Sequence, residues 1–281
     1  MNTPFWDRQA LNRAIRELQS CLCIGLDTDE TRIPRAVTGK DKVFDFNKSI
    51  IDATADLAVA YKINAAFYEA MGQAGWQAMA DTIAYIRDKR RFVILDAKRG
   101  DIGNTGELYA RACFEQLDAD AVTVSPYMGR DSVLPFLSRP GRWAILLALT
   151  SNTGAEDFQL QRMASGRKLF EEVIHLSSRW GSPDQLMYVA GATRIGNLLE
   201  VRNLLPEYFL LIPGVGAQGG DLGQVMKQAM TTSGDLLINA SRSILYASAG
   251  PDYIQAAREE ALKMQSSMRT HILEKSVNLE P

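Results

Sequence analysis

Short apolar runs recur along the chain at fairly even intervals. Residues 21–26, 57–63, 92–95, 121–124, 144–149, 186–189, 208–212 and 236–238 are nearly unbroken stretches rich in aliphatic and β-branched side chains. A strand with one wet face alternates apolar and polar residues, whereas an unbroken run suits a parallel strand covered on both faces. Stretches of helical character lie between the runs, at 45–56, 71–89, 106–117, 131–137, 165–180, 193–204, 220–230 and 253–268. Within 165–180, Leu169, Val173, Ile174 and Leu176 fall on one side, the spacing of an amphipathic helix. Eight strands alternating with helices predict an α/β fold, a (β/α)8 TIM barrel. It would occupy residues 1–281 as a single domain, with a helix at its N-terminus and a short polar tail fraying after Met268. A doubly wound open sheet is the competing layout. No G-x-G-x-x-G follows the first run, which weakens its dinucleotide-binding form.

Composition narrows the class without naming a chemistry. The 281 residues include 46% hydrophobic and 23% charged side chains, an ordinary globular balance. With 31 basic against 33 acidic groups the net charge is -2, so no nucleic-acid or anionic membrane surface is expected. No apolar stretch is long enough to span a membrane, and residues 1–18 lack the apolar centre of a signal peptide, so a cytoplasmic location is expected. Three cysteines do not make a disulfide framework. Cys21 and Cys23 read as small buried hydrophobes, and His175 and His271 as structural or solvated residues. No metal site is expected from so few ligands.

The informative polar residues stand where the apolar runs end. Asp27 follows the first run, Lys62 and Asn64 close the second, and Asp96, Lys98 and Asp101 follow the third. Ser125, then Ser151, then Pro213 to Gly220 with Gln218, then Arg242 follow later runs. Charges at the C-terminal ends of barrel strands face the mouth, where such barrels do their chemistry. Asp96 and Lys98 are two apart, so strand alternation would point both inward. With Lys62 and Asp101 they form a neutral set of two ammoniums and two carboxylates, which offsets desolvation. Carboxylates on both sides keep a lysine charged, which suits a cationic proton donor rather than a Schiff base. The glycines from Pro213 to Gly220 and the fork of Arg242 suit an anion such as phosphate. Asp27 fits either sugar hydroxyls or a helix cap, and Ser151 either a heterocycle or a turn.

Taken together, these residues resemble a known family. Asp-Ala-Lys-Arg-Gly-Asp-Ile-Gly-Asn-Thr from Asp96 to Thr105 is similar to the signature of the orotidine 5'-phosphate decarboxylases. Gly25-Leu26-Asp27, Tyr61-Lys62-Ile63-Asn64, Pro213 to Gly220 and Ala240-Ser241-Arg242 match in the expected order, over most of the chain. The length and Ser125-Pro-Tyr-Met-Gly resemble the longer bacterial subgroup. The resemblance implies cofactor-free conversion of orotidine 5'-phosphate to uridine 5'-phosphate and carbon dioxide, the last step of UMP synthesis. It implies that Lys62, Asp96, Lys98 and Asp101 form the family's charged tetrad. Lys98 would protonate C6 and Asp96 would lie against the substrate carboxylate. Asp101 and Thr105 would enter a partner's site, so a homodimer with shared active sites is implied. Asp27 and Lys62 would bind ribose hydroxyls and Ser151 the pyrimidine edge, with Ser125 nearby. Gln218 and Arg242 would hold phosphate, helped by backbone near Pro213. Two rivals remain: a metal-dependent sugar-phosphate decarboxylase or epimerase on the same barrel, and a nucleotide-binding protein without activity. An ammonium at Lys62 argues against a metal, and the opposed strand-end charges argue against a mere binder.

Overall fold

Eight parallel strands pair in chain order and close on themselves. They are β1 (Leu22–Gly25), β2 (Ala60–Asn64), β3 (Phe92–Arg99), β4 (Ala121–Val124), β5 (Trp143–Leu149), β6 (Leu186–Ala190), β7 (Phe209–Pro213) and β8 (Leu236–Ala240). Closure is made by β8 on β1, with Cys23 opposite Asn239 and Ile24 opposite Ala240. In this computed structural model, residues 5–191, 195–214 and 221–277 are described. Every residue of β1, β4, β6 and β8 is buried, which accounts for the absence of alternation in those runs.

The outer layer is formed by α1 (Arg8–Leu18), α2 (Lys42–Thr54), α3 (Ala65–Glu69), α4 (Gly72–Asp88), α5 (Gly103–Arg111), α6 (Leu134–Leu137), α7 (Leu169–Ser177), α8 (Ile195–Leu204), α9 (Leu222–Ala229), α10 (Arg242–Leu245) and α11 (Tyr253–Val277). Asp7 and Asp41 cap α1 and α2 through their side chains, satisfying N–H groups that the helix leaves open. The expected frayed tail is instead the end of α11, which is helical through Val277. Buried Met268 and Ile272 hold that stretch down, and Gln265 donates to the Leu18 carbonyl at 3.1 Å. The helix expected from 165 starts only at Leu169, because Arg162 and Lys168 first form a short antiparallel bridge. The expected 106–117 helix begins at Gly103 and passes into a π-turn at Ala112–Gln116. The third strand runs on to Arg99, so its polar residues lie within it rather than after it.

The N-terminal end of the barrel is closed by α1 and the residue run before it. Trp143 donates its indole N–H to the Trp6 carbonyl at 2.8 Å, and Trp6 and Trp143 both pack edge-on against Phe92. Arg8 grips the buried Asp235 with both ends of its fork, at 2.8 and 2.7 Å, and Asn12 adds a third donor at 2.8 Å. Cys21 and Cys23 are fully buried in β1, and burial pushes both thiols up to about 12, as inert small hydrophobes require. His175 lies against Arg179, and His271 lies 3.6 Å from Glu274. Among the described residues no group of three His, Cys, Asp or Glu could hold a metal, and no helix is long and apolar enough to cross a membrane.

Candidate active site

At the opposite end, β1 and β8 approach too closely for a side chain at Gly25. A Cβ there would lie 2.9 Å from the Ser241 Cβ and 3.1 Å from the Asn239 Oδ1. The chain then delivers Asp27 to the mouth. Lys62, on β2, is its partner, with Nζ 3.2 Å from Asp27 Oδ1 and 3.2 Å from Asp96 Oδ2. The Lys62 side chain is only 6% exposed. Burial alone would lower its pKa, but Asp27 and Asp96 outweigh that and raise it above the ordinary lysine value. Lys62 therefore stays a cation.

Asp96 is the centre of the cluster. Its Oδ1 accepts from Lys98 Nζ at 2.7 Å and from the Thr123 hydroxyl at 2.9 Å, while Oδ2 faces Lys62. Burial pushes the Asp96 carboxyl up, but Lys62, Lys98 and the hydrogen bonds from Lys98 and Thr123 hold it below the usual carboxylate range. A gradient of exposure runs through the group. The side chains of Asp96 and Asp27 are 11% and 19% exposed, while that of Lys98 is 51% exposed and opens to the mouth. One fixed carboxylate thus presents one half-free ammonium.

Simple strand alternation does not bring Asp96 and Lys98 together. The β3–β4 ladder slips between Leu95, opposite Val122, and Arg99, opposite Val124. Four steps on β3 are therefore matched by two on β4, as in a bulge that re-aims side chains. Lys98 sits at φ 46, a left-handed conformation costly for a residue with a Cβ. Its backbone N–H is taken by the Thr123 hydroxyl at 2.9 Å. Thr123 is the member of this contact set that the sequence reading misses. The available signal is a lone hydroxyl inside the apolar run Ala121–Val124, on the strand beside Asp96.

Within one chain the second carboxylate of the cluster is Asp27. Asp101 turns back onto its own loop, where its Oδ1 accepts from the Ile102 N–H at 2.9 Å. Among the described residues it forms no ion pair, and Thr105 is exposed on α5. Asp27, Lys62 and Asp96 line a cleft of about 180 Å³ together with Pro213, Gly214 and Arg242. That joins the charge cluster to the end of β7 and the start of α10, where an anion was expected. Gln218 lies outside the described residues. Ser151 lines a separate cleft of about 200 Å³ with Thr150 and Gly191. Ser125 lines neither cleft; its N–H continues the ladder to the Arg99 carbonyl at 2.8 Å. Tyr246 is a further residue without a sequence signal. Its hydroxyl accepts from the Asp29 N–H at 2.8 Å and donates to the Asp27 carbonyl at 3.4 Å, which steadies the loop carrying Asp27.

Comparison with known proteins agrees with this geometry. The family described as Orotidine 5'-phosphate decarboxylase / HUMPS family matches residues 20–260. An orotidine 5'-phosphate decarboxylase of Bacteroides fragilis is 50% identical over 265 residues, covering 93% of this chain and 97% of the relative. One from Porphyromonas gingivalis is 50% identical over 273 residues, covering 96% and 99%. Among solved structures, the OMP decarboxylase of Leishmania donovani superposes with a TM-score of 0.77 at 33% identity, covering 92% of this chain and 99% of that one.

Proposed function

The chain belongs to the orotidine 5'-phosphate decarboxylase / HUMPS family, and we propose on that basis that it converts orotidine 5'-phosphate to uridine 5'-phosphate and carbon dioxide, the last step of UMP synthesis. The observation that carries the mechanism is the Lys98 ammonium, 2.7 Å from Asp96 on a side chain that is half exposed. Substrate would bind with its C6 carboxylate beside Asp96. The bond from C6 to that carboxylate breaks, carbon dioxide leaves, and the electron pair stays on C6. An ammonium fixed beside the developing charge stabilises it, and far more so in a site shielded from water. Lys98 then gives one N–H proton to C6 and is reprotonated from solvent. Asp96 holds Lys98 in place, and Lys62 neutralises Asp96 without competing as an acid, since its own proton is held more tightly than usual.

The remaining contacts follow the same reading. Asp27 and Lys62 receive the ribose hydroxyls, Ser151 and Ser125 the pyrimidine side, and Arg242 with backbone near Pro213 and with Gln218 the phosphate. Distant phosphate contacts can supply energy that orders the site for reaction. Asp101 and Thr105 serve a second copy, giving a homodimer with shared sites. That Asp101 forms no ion pair among the described residues supports this, as do exposed Ile102, Leu108 and Tyr109 near it in sequence. In this reading residues 1–281 act as one cytoplasmic barrel, and the reaction needs no cofactor, metal, nucleic acid or membrane.

Purified protein should consume the orotidine 5'-phosphate absorbance in the presence of a chelator. No turnover there would overturn the reading, and strict magnesium dependence would favour the sugar-phosphate rival. Sharing of sites has its own test. Lys98→Ala and Asp101→Asn proteins, each nearly inactive, should regain activity when mixed; no recovery after subunit exchange would rule sharing out.

A further inference from the structure

Thr123 is fully enclosed on β4, with 1% exposure, yet it carries a hydroxyl in a wall otherwise made of Ala121, Val122 and Val124. Both of its hydrogen bonds go to the reacting cluster. The Lys98 N–H can only donate, so at 2.9 Å the Thr123 oxygen accepts there. The hydroxyl proton is then free for Asp96 Oδ1, also at 2.9 Å, where the carboxylate can only accept. One side chain thus ties the backbone of the lysine to the carboxylate that its own ammonium touches. It does so where the β3–β4 ladder has slipped and β4 offers Lys98 no backbone partner in register.

We propose that Thr123 is a positioning residue for the decarboxylation, holding Lys98 in its left-handed conformation and Asp96 in one rotamer so that the ammonium faces the substrate carbon. This rests on the decarboxylase reading above for the identity of the reaction, while the positioning itself rests on geometry alone. Valine and threonine are nearly the same shape, so Thr123→Val removes the two hydrogen bonds and little else. Without the hydroxyl, the Lys98 N–H is left without its partner and Asp96 loses one of the donors that fix it. The groups facing Asp96 are then Lys62 from β2 and Lys98 from its own strand, with Asp27 behind Lys62.

The test compares wild type, Thr123→Val and Thr123→Ser. In Thr123→Val, kcat for orotidine 5'-phosphate should fall by about ten- to a hundredfold, the scale of a hydrogen bond to a charged group, while KM changes by less than about threefold. Thr123→Ser, which keeps the hydroxyl, should recover most of the loss. Carbon-13 NMR of the Asp96 carboxyl in ligand-free protein should show its titration midpoint moving upward in Thr123→Val and returning in Thr123→Ser, because a hydrogen bond to the charged form has been lost. A purely structural role would lower stability without moving that midpoint. Unchanged kcat with an unchanged midpoint overturns the proposal, as does a loss that serine does not repair. Should the valine variant fold poorly, Thr123→Ala gives the same two readouts. If wild-type protein fails to turn over orotidine 5'-phosphate, the decarboxylase reading falls, yet the carboxyl titration still decides whether Thr123 positions Asp96.

Discussion

Asp96, half-buried at the mouth, and Asp120, buried at the base, are both aspartates set between two cations, and they are built to opposite ends. Asp120 precedes β4 and receives the forks of Arg87 at 2.6 Å and Arg142 at 3.5 Å, with the Val93 N–H at 2.9 Å. Those forks are themselves anchored: Arg87 also holds Asp118, and Arg142 the Ala119 carbonyl at 2.7 Å. Each arginine is held by more than one acceptor, so the network serves to hold the barrel together. Asp96 instead faces two lysines, compact charges on flexible stems, and one of them stays half-open to solvent. Titration follows the same division. Lys62 and Lys98 hold the Asp96 carboxyl down, whereas burial pushes Asp120 up to about 6 against the pull of its arginines. A charge cluster becomes chemical when one cation is left with a donor to give away.

The largest effect that would break this contrast is at Lys98. Lys98→Ala should lower kcat by at least about 10³-fold, as loss of a general acid and a fixed counter-charge requires, with less than about 1 kcal/mol change in stability by urea melts. A large loss of stability would make the mouth a structural network after all. Arg87→Ala at the base should do the reverse. Removing one arginine strands buried Asp120 and should cost roughly 3 kcal/mol of stability, while kcat of the folded protein at 25 °C stays within about twofold. Smaller, but sharper in sign, is pH. The Asp96 contribution is complete above the unfolded carboxylate value of about 3.9 and is lost as pH falls through its lower folded value. The Asp120 contribution is complete below about 3.9 and is lost as pH rises through about 6. Asp96→Asn should therefore be most costly at neutral pH and cost less below pH 4. Asp120→Asn should change relative stability between pH 4 and 6, by on the order of 2 kcal/mol, in the opposite direction. Parallel profiles would erase the distinction.

The barrel was legible because parallel strands buried on both faces leave unbroken apolar runs, and each of the eight runs is a strand. Asp27, Lys62, Asp96 and Lys98 were legible because each charge directly follows or ends such a run. Their arrangement was not. Strand alternation gives a reason for Asp96 and Lys98 to share a face, but the contact depends on a ladder slip that no residue pattern announces. Thr123 stayed hidden because threonine is a common strand former and one hydroxyl in an apolar run carries no charge to mark it. The pairing of Asp27 with Lys62 has no signal in the spacing, which leaves Asp27 open between cap and ligand. The length of α11 is not legible because Met268 and Ile272 are isolated apolar residues on one face of a strongly polar stretch.

The left-handed backbone at Lys98 has a consequence for anyone redesigning this barrel. A procedure that chooses the residue best suited to each backbone position would write glycine at 98, since glycine alone adopts φ 46 without penalty. The resulting protein would gain stability there and lose its amine. Backbone preference and the proposed chemistry point to different letters at this one position, so Lys98 marks where a fold-only reading of the chain would erase the amine that the proposed reaction uses.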